Sequence, residues 1–447
     1  MAAALIVLAA GQGSRMKSER PKVLHEVAGA PLLRHALLSG AALEPVRTVV
    51  VVGHGGEAVE TALRGFDEDA VVAVQTEQRG TAHAVAQARG ALEGFDGDAF
   101  VLYGDTPFIE GETLQRMAEA RAAGADVVVL GFEAADPMRY GRLVTDGDRL
   151  ERIVEFKDAT EAERAIRLCN SGVMACDAAT MFSLIAEVGD DNASGEFYLT
   201  DLPALAAKRG LSARVVVCDE SETLGVNTRM DLAAAEAAFQ RRARAAAMEN
   251  GATLVDPATV HFAFDTHLGR DVVVEPHVVF GPGVTVESGA TIRAFSHLEG
   301  AHVSEACVVG PYARLRPGTE LDRGAKVGNF VEVKAAQVDE GAKINHLSYV
   351  GDAHVGAHAN VGAGTITCNY DGVGKHRTTI GAHAFIGSNT MLVAPVAVGD
   401  EAMTGSGSVV TRDVPDGALA LSRARQENKD GMARRLMAKL RAAKEAR

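Results

Sequence analysis

From Leu268 to Thr404 an aliphatic side chain returns every sixth residue. The series runs 268, 274, 280, 286, 292 and 298, slips by one, and continues at 303, 309, 315, 321, 327 and 333. It slips again for 338, 344 and 350, again for 355 and 361, and after an interruption resumes at 380, 386, 392, 398 and 404. Of these 22 positions 21 are Val, Ile, Leu or Phe, with Thr404 the exception, and Gly follows in 11 of them. A short fixed period means one structural unit stacked on its copies. One inward apolar residue per six, followed by Gly or a small polar residue, suits a short strand and a tight corner. Three such strands per turn of chain make a triangular prism of parallel β-structure around a core of Val, Ile and Leu.

The first half has a different pattern. Apolar runs at 5–9, 48–52, 71–74, 100–103 and 127–130 read as buried parallel strands, separated by helical stretches at 31–43, 57–63, 81–92 and 112–122. This predicts a doubly wound α/β domain over residues 1–229. Strand and hairpin signals continue through 141–155 and 214–217. Residues 230–248 are rich in Ala and Arg, lack Gly and Pro, and read as one exposed helix. It serves as a linker (230–250) to the repeat-bearing domain, 251–447. The basic stretch 432–447 places Met432, Leu436, Met437 and Leu440 on one face and reads as a packed or fraying terminal helix.

The residue after each aliphatic position carries the chemistry of the repeat. It is basic only at Arg293, Arg316 and Lys334. Arg316 and Lys334 are 18 residues apart, one full coil, so they stack with backbones roughly 4.8 Å apart. Like charges so placed repel, and a bound anion relieves that repulsion. The alternative is two solvated side chains diverging into water; an anion site is the reading preferred here. Arg293 has no such partner and reads as surface.

Composition narrows the classes. A formal net charge of -14 argues against nucleic acid and against an anionic membrane surface. The apolar start runs directly into Gly11-Gln12-Gly13 without a basic leader, so it reads as a first strand and not a secretion signal. No stretch is long enough to span a bilayer. Five scattered cysteines without CxxC spacing suggest reduced thiols in the cytoplasm and no structural zinc.

The first strand ends in Leu8-Ala9-Ala10-Gly11-Gln12-Gly13-Ser14-Arg15-Met16, followed by Pro21-Lys22. A Gly-rich turn there lets backbone N–H groups approach phosphates, and Arg15 and Lys22 supply charge for a triphosphate. The segment lacks both GxGxxG and GxxxxGK[ST], which disfavours a dinucleotide fold and excludes a P-loop. A bare Gly-x-Gly is often only a tight turn, but with Arg15 and Pro21-Lys22 it resembles the signature of sugar-1-phosphate nucleotidyltransferases. Asp105, in Tyr103-Gly104-Asp105-Thr106-Pro107, stands at the carboxyl end of a buried strand, where open α/β sheets bind ligands. Alone it could cap a turn; beside a triphosphate site it reads as a Mg²⁺ ligand. Glu155, Asn170 and Asn227 read, each alone, as loop polar residues.

Four further motifs are specific. They are Ala313-Arg314-Leu315-Arg316-Pro317-Gly318, Gly328-Asn329-Phe330-Val331-Glu332-Val333-Lys334, His346-Leu347-Ser348-Tyr349 and the run from Gly362 to Gly372. With them the chain resembles, over its full length, the bacterial bifunctional UDP-N-acetylglucosamine pyrophosphorylase/glucosamine-1-phosphate N-acetyltransferases. The resemblance implies a left-handed parallel β-helix of hexapeptide repeats; the general rule for parallel crossovers favours the opposite hand. It implies that Leu8, Ala9, Ala10, Gly11, Lys22, Gln75, Gly80 and Thr81 bind the uridine nucleotide and that Arg15 helps neutralise pyrophosphate. Tyr103, Gly104, Gly141, Glu155 and Asn170 would hold N-acetylglucosamine, with Asp105 and Asn227 on Mg²⁺. In the prism, Arg316 and Lys334 would hold the phosphate of glucosamine 1-phosphate, His346 would be the general base, and Tyr349 and Asn360 would contact the sugar. Ala363, Asn369, Tyr370, Ser388, Ser406 and Arg423 would line the acetyl-CoA side. Lys375 would reach acetyl-CoA or a neighbouring subunit. The family forms homotrimers, and its substrates are glucosamine 1-phosphate, N-acetylglucosamine 1-phosphate, UTP and acetyl-CoA.

Two other readings compete with a bifunctional enzyme. One keeps only the nucleotidyltransferase and makes the prism a scaffold, which Arg316, Lys334, His346 and Tyr349 oppose, because a scaffold needs none of them. The other makes the chain a non-catalytic relative, which intact Arg15, Lys22, Asp105 and Asn227 oppose.

Overall fold

The structure, a computed structural model, describes residues 2–446. The chain divides between Ala243 and Arg244 into two compact units. The first is built on a nine-stranded sheet in the order Val71–Val74, Arg47–Val52, Ala3–Ala9, Asp98–Tyr103, Leu168–Asp177, Val127–Glu133, Ala213–Cys218, Arg149–Val154, Arg142–Asp146. The first strand in sequence is central, parallel to both neighbours and buried at every residue. Its alternate side chains feed two cores: Leu5, Val7 and Ala9 on one face, Ala4, Ile6 and Leu8 on the other. That double burial is why the segment is a continuous apolar run.

The sheet is mixed, not wholly parallel. Leu168–Asp177 runs antiparallel between Asp98–Tyr103 and Val127–Glu133. Asn170 therefore lies in a strand and not in a loop. Its register shifts between Asn170 and Met174, and there the Ser171 hydroxyl donates to the Leu130 carbonyl. The polar run Asn170-Ser171-Gly172 hides this strand in the sequence because these residues form a bulge. The helix Arg229–Glu249 also departs from the expectation of full exposure. It buries Ala235, Ala238 and Gln240, and Glu236 accepts a 2.7 Å hydrogen bond from the Ala28 N–H.

The second unit has three parallel faces. One is a ten-stranded ladder from Thr253–Leu254 to Leu419–Ala420; the other two share long strands that turn a corner. All 22 hexad positions are buried. Thr404 fits because its hydroxyl lies 3.2 Å from that of Thr390 and accepts from the Gly387 N–H at 3.0 Å. Two of the three register slips now have a cause. The five-residue steps 333 to 338 and 350 to 355 fall within the single strands Glu332–Val338 and Tyr349–Val355, which pass from one face to the next. The interruption is the loop after Cys368, whose tip residue Val373 is 95% exposed.

The terminal helix Met432–Glu445 is regular and exposed along its length, so the packed reading does not hold within the chain. All five cysteines are free; four are buried and Cys368 is half-buried. Among the described residues no helix is long and apolar enough to cross a membrane.

Candidate active sites

In the first unit the strands Ala3–Ala9 and Asp98–Tyr103 end side by side, with the Gly104 N–H bonded to the Leu8 carbonyl at 2.9 Å. Beyond them opens a cleft of about 280 Å³ lined by Leu8, Ala9, Ala10, Gly11, Lys22, Gln75, Gly80, Thr81, Tyr103 and Asp105. The turn closes tightly: Gly13 has φ 63°, and a Cβ there would lie 2.7 Å from Lys22 Cβ. Only glycine lets the loop pack onto the lysine it presents.

Lys22 joins the two candidate metal ligands. Its ammonium is ion-paired with Asp105 and donates to Asn227 Oδ1 at 3.1 Å, and Arg15 donates to the same oxygen at 3.0 Å. Two oxygens thus converge on one position of positive charge. Among the described residues no cluster of three or more His, Cys, Asp or Glu could hold a metal. A carboxylate and an amide oxygen nevertheless fit Mg²⁺, which takes few protein oxygens and completes its shell from phosphates and water.

Gly141, Glu155 and Asn170 come together at the side. The Asn170 N–H bonds the Gly141 carbonyl at 2.9 Å, and a Cβ on Gly141 would lie 3.4 Å from Glu155 Oε1. Glu155 also lines a second cleft of about 550 Å³ with Arg139, Phe156, Lys157, Ser194 and Tyr198. Burial pushes its carboxyl above the ordinary range, and a hydrogen bond from Thr200 pulls the other way. Burial likewise raises the Tyr103 phenol, next to the charge of Asp105, so it stays a neutral donor.

In the second unit Arg316 and Lys334 are stacked in register: the Arg316 N–H bonds the Val333 carbonyl at 2.9 Å. Their repulsion is already met by carboxylates. Glu332 pairs with Arg316 at 2.8 Å, and Asp352 lies 3.9 Å from Lys334 Nζ. An anion is thus not required for the two cations to stack. Asp352 also accepts from Asn369, whose amide reaches the Tyr349 hydroxyl at 3.3 Å. Asn369 thus joins Tyr349 to Asp352, the carboxylate beside Lys334.

A row of residues leads away from the exposed His346. The His346 carbonyl accepts from the Gly364 N–H, that of Ala363 from Asn389 and that of Ser388 from Gly407, while the Ser406 carbonyl accepts from the Arg423 guanidinium at 2.7 Å. Ala363, Ser388 and Ser406 thus occupy one edge on successive coils. Asn360 lies on the ten-stranded face, and no hydrogen bond joins it to Arg316, Lys334 or Tyr349 among the described residues. Tyr370 and Lys375 turn towards each other, with Lys375 Nζ 4.4 Å from the ring centre.

Sequence reasoning missed Gln78, which donates to the Ala10 carbonyl at 2.7 Å, and Thr200, Glu332, Asp352 and Asn329. A signal existed for two of them. His346 follows Asn329 by 17 residues, one coil, and Asp352 is one residue beyond Gly351, the register partner of Lys334.

An α/β unit with a Gly-rich turn over a cleft, followed by a parallel β-helix, is the layout of a two-domain transferase, and comparison with known proteins bears this out. Residues 5–177 match the family model of the MobA-like NTP transferase domain. The Bifunctional protein GlmU of Dinoroseobacter shibae is 68% identical over 447 residues, covering 100% of this chain and 99% of that one. That of Jannaschia sp. is 64% identical over 444 residues, covering 99% and 98%. That of Ruegeria sp. is 65% identical over 447 residues, covering 100% and 99%. The chain belongs to the bifunctional GlmU family.

Proposed function

We propose that the groups described above are the two active sites of this bifunctional enzyme of UDP-N-acetylglucosamine synthesis. The enzyme acetylates glucosamine 1-phosphate with acetyl-CoA, then transfers UMP from UTP to N-acetylglucosamine 1-phosphate and releases pyrophosphate. In the first unit the backbone from Leu8 to Gly11, with Gln75, Gly80 and Thr81, cradles the uridine nucleotide. Tyr103, Gly104, Gly141, Glu155 and Asn170 hold the sugar. The sugar phosphate attacks the α-phosphorus in line, and no protein nucleophile is needed. Lys22 and Arg15 offset the charge that builds on the leaving pyrophosphate. Asp105 and Asn227 would hold Mg²⁺, which when bound neutralises phosphate charge.

In the second unit Arg316 and Lys334 fix the phosphate of glucosamine 1-phosphate, with Tyr349 and Asn360 on the sugar. His346 takes the proton from the sugar amine as the amine attacks the acetyl thioester, and coenzyme A leaves. Acetyl-CoA lies along the edge of Ala363, Ser388 and Ser406, with Arg423 at its far end and Asn369, Tyr370 and Lys375 flanking it. Three copies complete this site as a cyclic homotrimer, in which Asn360 and Lys375 of one subunit serve a neighbour. The enzyme works in the cytoplasm, on small molecules.

The observation that carries this reading is the edge row beginning at His346, one row with the base at one end and a guanidinium at the other. A scaffold-only prism has no use for it. The test supplies glucosamine 1-phosphate, acetyl-CoA, UTP and Mg²⁺ and follows free thiol and pyrophosphate separately. His346→Ala should abolish thiol release and leave pyrophosphate release from N-acetylglucosamine 1-phosphate intact; Asp105→Ala should do the reverse. Thiol release near wild type in His346→Ala would remove the base assignment.

A further inference from the structure

We infer that Asn329 is a positioning residue for the acetyl transfer, holding His346 in the tautomer and orientation a general base requires; this rests on the reading of His346 as that base. His346 Nδ1 lies 2.9 Å from Asn329 Oδ1. An amide oxygen only accepts, so Nδ1 carries the proton and Nε2 is left with its lone pair. The other tautomer would present Nε2–H to the amine and could take no proton from it.

The contact is built by the repeat itself. Asn329 and His346 are register partners on adjacent parallel strands, Lys326–Asn329 and Lys343–His346. Each is followed by a residue in the left-handed region, Phe330 at φ 54° and Leu347 at φ 50°. The Leu347 N–H bonds the Asn329 carbonyl at 3.1 Å. Two corners of the same shape, one coil apart, set the side chains one above the other. Neighbouring strands in a sheet lie about 4.8 Å apart, which a short amide and an imidazole can bridge. The His346 backbone is fixed as well: its carbonyl accepts from the Ser348 hydroxyl at 2.8 Å and the Gly364 N–H at 3.2 Å. The ring's remaining freedom is rotation about its own bonds, and the amide removes that. The flanking strands, Lys326–Asn329 and Asn360–Val361, carry one charged residue, Lys326, and the histidine's own strand carries Lys343. No carboxylate on these strands can take the place of the amide.

The experiment measures acetyl transfer from pH 5.5 to 9 in the full-length enzyme bearing Asn329→Ala or Asn329→Asp. Asn329→Ala should lower kcat by about tenfold or more while KM for glucosamine 1-phosphate stays within about twofold, because the ring still binds but samples unproductive orientations. Asn329→Asp keeps an acceptor; it should recover most of kcat and move the acid limb of the profile upward, because a carboxylate favours the imidazolium. A kcat within about twofold of wild type in Asn329→Ala, or an unmoved acid limb in Asn329→Asp, overturns the inference. Calorimetric binding of acetyl-CoA checks the fold; if Asn329→Ala fails it, the Asp variant alone decides. If His346→Ala retains acetyl transfer, the base reading itself fails. If His346→Ala is inactive and Asn329→Ala is not, only the role of Asn329 falls.

Discussion

Lys22 Nζ lies 3.1 Å from Asn227 Oδ1, across 205 residues of sequence, and the same ammonium is paired with Asp105. The lysine side chain is mostly buried. It therefore organises the two oxygens proposed to hold Mg²⁺ and lines the cleft proposed to take the triphosphate. Lys22→Met is expected to lower pyrophosphate release by about 100-fold or more, the scale for loss of one preorganised donor to developing charge. Thiol release by the second unit should be unchanged. Equal loss of both activities would point to unfolding instead.

Arg316 and Lys334 are each matched to a carboxylate, at 2.8 and 3.9 Å. The Arg316 pair is about one-third exposed, so it adds little to stability. On the proposed reading it would keep the guanidinium aimed until phosphate arrives. Removing a charged hydrogen-bond donor to a ligand costs about 1.5–3 kcal/mol. Arg316→Ala should therefore raise KM for glucosamine 1-phosphate about tenfold to 100-fold, with little change for acetyl-CoA or in the melting temperature.

Burial raises the Glu155 carboxyl above its ordinary value. A raised carboxyl takes up its proton earlier as pH falls, and the protonated form loses the charge with which it accepts sugar hydroxyls. The kcat/KM for N-acetylglucosamine 1-phosphate should thus decline on the acid side at a pH above that of an unperturbed glutamate. Glu155→Gln should show a lower plateau with that acid limb gone. A limb that persists in the variant would assign the titration to another group.

What the sequence made legible was whatever repeats or is fully buried. Every position picked out by the hexad spacing, down to Thr404, is buried, because a stacked core admits only one register. The second buried series two residues earlier (Val272, Val278, Val284) carries smaller and polar residues further on and has no such plain signal. The first strand was equally plain, since Ala3–Ala9 is buried on both faces. The strand Leu168–Asp177 was not, because the polar Asn170, Ser171 and Gly172 interrupt its apolar run with a bulge. Contacts between coils were half legible. The 18-residue step from Arg316 to Lys334 stood out because both are basic, whereas Asp352 and Asn329, at nearly the same step, were passed over. The partners of Lys22 lay 83 and 205 residues away, a distance no local pattern spans.

Two glycines of the nucleotide cleft should respond to the same substitution in different ways. Gly80 has φ 108°, and a Cβ there would meet the Phe197 carbonyl oxygen at 2.5 Å and its nitrogen at 2.8 Å. Both atoms are committed: the oxygen accepts from Ala82 at 2.9 Å and the nitrogen donates to Arg79 at 2.8 Å. The Gly80 carbonyl also holds the Gln75 amide at 3.1 Å. Gly80→Ala thus combines backbone strain of about 1–3 kcal/mol with a wedge driven into a two-bond clamp. It should lower the stability of the first unit by at least that amount and weaken UTP binding through Gln75. Gly11 is the contrast. A Cβ on it meets nothing within 4 Å, and its φ lies outside the left-handed region. Gly11→Ala should leave the melting transition where it is and still raise KM for UTP, because the methyl group would occupy the space the phosphates need. Thermal unfolding and uridylyl transfer measured on both variants separate the two effects. A Gly11→Ala enzyme with wild-type KM for UTP would show that the nucleotide does not pass over this turn.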